Sequence, residues 1–108
     1  MKIIETLART TNGSSDAIAR GSGESLRAQL NVVAASGASP ALTVIIEDSI
    51  DSGATWNTIG SFAQKTAVGR EIINISVPFA ENLRVSWTIA GTNPSFTFSV
   101  DWSAQRSN

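Results

Sequence analysis

Strict alternation of apolar and polar residues near the end of the chain is the feature that most constrains its fold. In residues 95–102 (SFTFSVDW), Phe96, Phe98, Val100 and Trp102 occupy every second position, with Ser, Thr, Ser and Asp between them. Successive side chains of a β-strand point to opposite faces of the sheet, so this period of two predicts a half-buried strand. We therefore expect a β-rich fold with one large apolar face here.

The same alternation appears in residues 25–34 and 82–90. Ser39 and Pro40 in residues 38–40, and Gly91 and Pro94 in residues 91–94, predict turns after these two strands, with Pro40 opening the next strand. The second turn has the length of a hairpin loop, so we expect the strands on either side of it to pair with each other. Shorter strands are predicted at residues 2–7, 16–20 and 69–77.

Residues 42–62 (LTVIIEDSIDSGATWNTIGSF) predict a second hairpin. Asp can bond its own backbone two residues on, and Gly supplies the positive φ of a tight turn, so Asp51 and Gly53 mark the reversal. Trp56 then anchors the returning strand. The alternation on the outgoing strand predicts one buried face, formed by Leu42, Val44 and Ile46.

The turn of this hairpin resembles the Asp-box, the S-x-D-x-G-x-x-W hairpin of sialidase propellers. The matching residues are Ser49, Asp51, Gly53 and Trp56. In that family the box folds a hairpin corner away from the catalytic centre. The resemblance therefore implies that Asp51 binds loop amides and that Trp56 packs beneath the turn, without implying glycosidase activity.

Together these patterns predict a single all-β domain over residues 1–108: an antiparallel β-sandwich or jelly roll of about seven to eight strands. Residues 1–24 are rich in turn signals and thin in apolar residues. They are a candidate extended N-terminal arm; an ordinary strand flanked by loops is the alternative. Residues 103–108 form a polar tail.

The composition argues against an enzyme. The chain has no Cys and no His, which removes disulfides, thiolate metal sites and the usual general base. A net charge of −1 gives no basic stripe for nucleic acid, and no apolar run is long enough to span a bilayer. The acidic residue at position 5 comes too early for a signal peptide, so we expect synthesis in a cytoplasm.

Two binding hypotheses remain open beside the structural one. Asp48, Ser49, Asp51 and Ser52 could present oxygen ligands to Ca²⁺, although a loop that satisfies its own amides is the commoner outcome, and we predict no cofactor. An exposed Trp56 would favour a carbohydrate-binding module. Two other tryptophans fall in register with apolar neighbours and are predicted to lie in the core: Trp87 and Trp102.

Over about half its length the chain resembles small structural proteins of tailed-bacteriophage virions. Residues 46–49 and 51–56 resemble their E-D-S-x-D-G-G-x-T-W hairpin, with Ser52 where Gly is usual, and residues 83–89 resemble their core strand. The resemblance implies a capsid decoration (cement) protein, or alternatively a head-completion, neck or tail component. It further implies a virion location, assembly in a bacterial host, a homo-oligomer with a trimer favoured, and the major capsid protein lattice as partner.

Arginine and lysine side chains are the candidate partner contacts. Arg27 and Arg84 lie on the polar faces of their strands, where solvation is the simplest interpretation and pairing with carboxylates of a docking partner is the alternative. We also expect residues 1–23 to contribute to docking. The full set of candidate contacts is Lys2, Arg9, Arg20, Arg27 and Arg84.

Overall fold

The computed structural model describes residues 2–15, 18–19, 25–51, 53–75 and 82–105. Within these ranges the chain forms seven antiparallel strands and no helix, which confirms the prediction of an all-β antiparallel fold. The strands are β1 (Lys2–Arg9), β2 (Gly13–Ser14), β3 (Ile18–Ala19), β4 (Ser25–Ser49), β5 (Asn57–Ser61), β6 (Gly69–Ile75) and β7 (Asn82–Gln105).

Two very long strands form the centre of the sheet. β4 has 25 residues and β7 has 24, and they pair antiparallel from Ser25 opposite Gln105 to Ser49 opposite Asn82. β5 and β6 pair with the outer side of β4, while β1, β2 and β3 pair with the outer side of β7. Every described strand thus belongs to one sheet.

Both long strands bend at the same level, where each carries a Gly-x-Ser/Asn-Pro sequence. Gly37 and Ser39 have positive φ angles of 111° and 48°, and Gly91 and Asn93 have 123° and 47°. The ladder between the strands shifts register on both sides of Ala38. Positive φ angles and lost register are features of β-bulges, which bend a strand and increase its twist without reversing it.

The predicted turns at residues 38–40 and 91–94 are therefore wrong: the chain bends there and continues as the same strand. The predicted hairpin between residues 82–90 and 95–102 is also wrong, because both segments pair with β4. The physical reason is the partner strand. The bend in β4 lies opposite the bend in β7, so the two strands change direction together and remain paired.

The buried face of the bent sheet forms a single core. The predicted alternation is confirmed in β4 and in the second half of β7, where Phe96, Phe98 and Val100 are fully buried. Trp87, from the half of β7 before the bend, meets Phe98, from the half after it, edge to face with ring centroids 5.8 Å apart. Side chains from both sides of the bend therefore pack on one another. The remaining core residues are Leu26, Ala28, Leu30, Val32, Leu42, Val44, Ile46, Phe62, Ile75, Leu83, Val85, Ile89 and Trp102.

Short connections require the two ends of the bent sheet to approach each other. Ala19 pairs with Asn82, whereas Ser25, only six positions later, pairs with Gln105 at the other end of β7. A straight strand of this length would span about 80 Å. The six Cα–Cα steps from Ala19 to Ser25 reach at most about 22 Å. The longest dimension of the molecule, 47 Å, agrees with a folded-back sheet.

The described part of the predicted arm pairs along β7 of its own chain. Between β1 and β2, Asn12 accepts the amide of Ile89 through its Oδ1 at 2.8 Å. Ser15 Oγ accepts the amide of Val85 at 2.9 Å, and the Ser15 amide donates to the Val85 carbonyl at 2.7 Å. Polar side chains of the N-terminal segment thus satisfy the edge of β7 where regular pairing stops.

Candidate functional site

The turn between β4 and β5 is held by side chains of the Asp-box-like sequence. Ser49, fully buried at the end of β4, accepts the Gly53 amide at 2.8 Å and donates its hydroxyl to Asp51 Oδ1 at 2.7 Å. Asp51 in turn accepts the Thr55 amide at 2.8 Å and the Thr55 hydroxyl at 2.5 Å. Gly53 has a φ of 94°, which an L-residue adopts only with strain. The hairpin predicted for residues 42–62 is present, with Ile45 opposite Ser61 and Asp48 opposite Asn57.

Hydrogen bonds shift the acidity of Asp51. The Thr55 hydroxyl, the Thr55 amide and the Ser49 hydroxyl all donate to the ionised carboxylate, and they lower its pKa to about 2. The carboxylate is therefore charged near neutral pH and acts only as an acceptor within its own loop. It is unsuited to act as a general acid or base there.

Calcium binding at this turn would compete with the same hydrogen bonds. Both oxygens of Asp51 accept bonds from Ser49 or Thr55. In the part of the chain that the structure describes, no three acidic, His or Cys side chains lie close enough to form a metal site. Ser52, the fourth residue of the calcium hypothesis, lies outside the described residues.

Trp56 lies in a stack beside the turn. The Arg84 guanidinium sits 4.4 Å from the centroid of the Trp56 ring, within the range of a cation–π interaction. Arg84 Nε also donates to Glu47 Oε1 at 2.8 Å, and the Glu47 side chain is only 12% exposed. Trp56 itself is partly buried, and Arg84 lies over a ring face on which a sugar would otherwise stack.

Arg9 contacts aromatic rings and backbone carbonyls of its own chain. Its guanidinium lies 5.0 Å from the ring centroid of Trp87 and 4.8 Å from that of Phe98. Its Nη1 donates to the carbonyls of Leu7 and Phe98, at 2.9 and 3.0 Å. Partial burial lowers the pKa of Arg9 through desolvation. The side chain thus closes the margin of the core beside β1.

The other candidate contacts do not gather around Arg9. Arg27 is exposed on β4 opposite Ser103, whereas Arg84 lies opposite Glu47 in the other half of the sheet. Lys2 belongs to β1, but only its backbone is described, and Arg20 lies outside the described residues. The described candidates therefore lie at separate places on the sheet.

A shallow pocket on the outer face was not predicted from the sequence. It has a volume of about 220 Å³ and lies where β6, β4 and β7 run side by side. Arg27 and Asp101 give it charges of both signs, and Ile72 adds an exposed apolar side chain. Because its residues come from three strands far apart in the sequence, no local motif could have indicated it. The pocket is lined by Arg27, Ala28, Gln29, Ile72, Asp101, Trp102 and Ser103.

Comparison with known proteins assigns no family to the chain. No protein-family model matches the chain, and a search of curated proteins finds no match. Among the described residues no helix is long and apolar enough to cross a membrane.

Proposed function

We propose that the bent sheet is a β-sandwich with jelly-roll topology. When β4 and β7 are each divided at the bend and β2 is joined with β3, the chain has eight segments. Numbered in chain order, these pair as 1-8-3-6 in one half and as 2-7-4-5 in the other. Two four-stranded layers in these orders are the arrangement of a jelly roll, a fold used by viral capsid and lectin domains.

We infer that the protein is a non-enzymatic structural component of a bacteriophage virion, and specifically a capsid decoration protein. The strand order is the observation that supports this proposal most, because viral capsid domains are among the proteins that use a jelly roll. The resemblance of residues 46–49, 51–56 and 83–89 to phage virion proteins favours a bacteriophage protein over other proteins with this fold. The partner is then the lattice of the major capsid protein, and the functional form is a homo-oligomer.

The mechanism is stabilisation by selective binding. A protein that binds only the assembled shell lowers the free energy of that state by mass action, by about 2.7 kcal/mol per site at a free concentration one hundred times the Kd. A rigid sheet suits this role because little conformational entropy is lost on docking. Exposed side chains such as Arg27 and residues 1–23 are the proposed contacts.

Co-sedimentation with phage heads tests the proposal. The purified protein is mixed with expanded empty heads, with unexpanded heads and with dissociated capsid subunits of the phage that encodes it. We expect it to pellet with expanded heads at a fixed stoichiometry and to raise their thermal disruption temperature. A protein that remains in the supernatant with every form of the capsid would refute the decoration role, and its presence in purified tails would support a neck or tail role.

A carbohydrate-binding module is the second candidate, because jelly rolls also occur in lectins and Trp56 retains some exposed surface. The Arg84 stack on that ring argues against it. A glycan array with the wild-type protein and a folded Trp56→Ala variant separates the two candidates. Binding that is present in the first and lost in the second would favour the module.

A further inference from the structure

β6 is an unusually regular free edge of the sheet. Its seven residues pair with β4 without any register shift, from Ile75 opposite Leu26 to Gly69 opposite Val32. It contacts only β4 and β5 among the described strands, so none of them pairs with its other side. A row of unpaired amides and carbonyls on such a strand is a template for another strand.

The other edges in the described structure carry features that oppose pairing. β1 shifts register between Lys2 and Ile4 and again between Ile4 and Leu7, and β5 bulges at Ile59, between Gly60 and Thr58. β2 and β3 have two residues each. Bulges and short length are the devices by which sheets block unwanted strand addition. β6 lacks them, and it contains no proline.

The sequence of β6 is compatible with pairing to a second copy of itself. A two-fold axis perpendicular to the sheet keeps outward side chains on the outward face. Residues that oppose each other across the axis must therefore both be even-numbered or both be odd-numbered. Centred on Ile72, all seven residues overlap: Ile72 faces its own copy, and Arg70 faces Asn74 of the partner subunit. No like charges meet, whereas an axis through Glu71 would oppose two carboxylates and leave part of the strand unpaired.

The side chains of β6 already suit this register. Ile72 is 45% exposed and points away from the core, so pairing would cover apolar surface on both copies. The Glu71 carboxylate is turned back toward its own chain, where it accepts bonds from the Ala63 amide and from Lys65. The outward face of β6 therefore presents an apolar centre between Arg70 and Asn74.

We propose that two copies of this chain associate through antiparallel pairing of their β6 strands about an axis at Ile72, which joins one half of each bent sheet into a continuous layer. The kind of partner follows from the edge itself, since main-chain pairing supplies affinity and opposed side chains set the register. This inference does not depend on the proposed function, and a dimer would form in the absence of any capsid.

Sedimentation of charge variants at increasing protein concentration tests the interface. Wild-type protein is expected to dimerise, and Ile72→Lys should weaken the dimer roughly tenfold or more, because it opposes two charges and removes an apolar contact. Val33→Lys, at 46% exposure on the central strand β4, is the matched control and should leave the dimer intact. Leu7→Lys on β1 should do the same. Loss of the dimer in L7K but not in I72K would overturn the proposal.

A disulfide variant tests the register directly, because the wild-type chain contains no cysteine. In I72C the two introduced thiols lie opposite each other across the axis, within the distance that a disulfide spans. We expect rapid, nearly complete crosslinking under mild oxidation, and little in V33C. A monomeric wild-type protein, or equal crosslinking of I72C and V33C, would refute the paired edge.

Discussion

Gly37 and Gly91 leave room for each other's strand at the bend. A Cβ on Gly37 would lie 2.7 Å from the carbonyl oxygen of Asn93, and a Cβ on Gly91 would lie 2.9 Å from that of Ser39. The two positions are thus related by a local pseudo-two-fold symmetry. Each strand can bend only because the other lacks a side chain at the corresponding point.

We predict that Gly37→Ala and Gly91→Ala destabilise the protein. Positive φ alone costs about 1–3 kcal/mol for a non-glycine residue, and the contact with opposing backbone adds to it. Denaturation in urea measures the change in the free energy of unfolding. Gly69→Ala is the control, because a Cβ there meets nothing within 4 Å. Equal stability of G37A and G69A would contradict the role of the bend.

The sequence predicted the strands better than it predicted their connections. Alternation identified the buried residues of β4 and β7, because the two-residue repeat of a strand determines which side chains share a face. The turns at residues 38–40 and 91–94 were mistaken because Gly and Pro favour a reversal and a bulge alike, and the difference depends on the strand lying opposite. The recurrence of Gly-x-Ser/Asn-Pro in both strands was the available signal, because two irregular segments of one kind can pair with each other.

The candidate site was predictable in one respect only. Ser49, Asp51 and Gly53 are close in sequence, so a local motif could place them in one turn. The stack of Arg84 on Trp56, the position of Arg9 beside Phe98 and the pocket near Arg27 all depend on pairing between distant strands, which residue spacing does not encode.

Asp51 should make stability depend on pH in the acid range. Its pKa is about 2 in the folded protein against a usual 3.8, so the native state favours the ionised form. The stabilisation is therefore complete above pH 3.8 and is lost as pH falls toward 2. We expect the Tm difference between wild type and Asp51→Asn to shrink over this interval. A difference that is the same at neutral pH and near pH 2 would contradict the assignment.

Packing between the two halves of the sheet can be measured at Gly60. A Cβ on this residue of β5 would lie 2.6 Å from Cδ1 of Ile75, which is buried in β6. We expect Gly60→Ala to cost about 1–3 kcal/mol through overpacking. The cost should fall in an Ile75→Ala background, where the clash is removed. Additive free energies in this double-mutant cycle would show that the two residues do not touch.

The Glu47–Arg84 pair should contribute to stability more than an exposed charge does. Arg84→Met keeps the side-chain stem but leaves the largely buried Glu47 carboxylate without its donor, at a cost of about 1–2 kcal/mol. Arg27→Met, on the exposed face, should change stability by less than about 0.5 kcal/mol. Chemical denaturation of both variants gives the comparison. Glu47→Gln in the R84M background should recover part of the loss, and no recovery would argue against the pair.

The placement of β7 also determines the order in which the fold can form during translation. Among the described strands, β1, β2 and β3 pair only with β7, and Lys2 meets Asp101 nearly a full chain length away. The ribosome makes β7 after every other described strand, so the first strands wait without a partner while β4, β5 and β6 can already pair. Contacts so distant in sequence slow folding to milliseconds or seconds. The amino-terminal segment is thus the part of the nascent chain most in need of protection from aggregation.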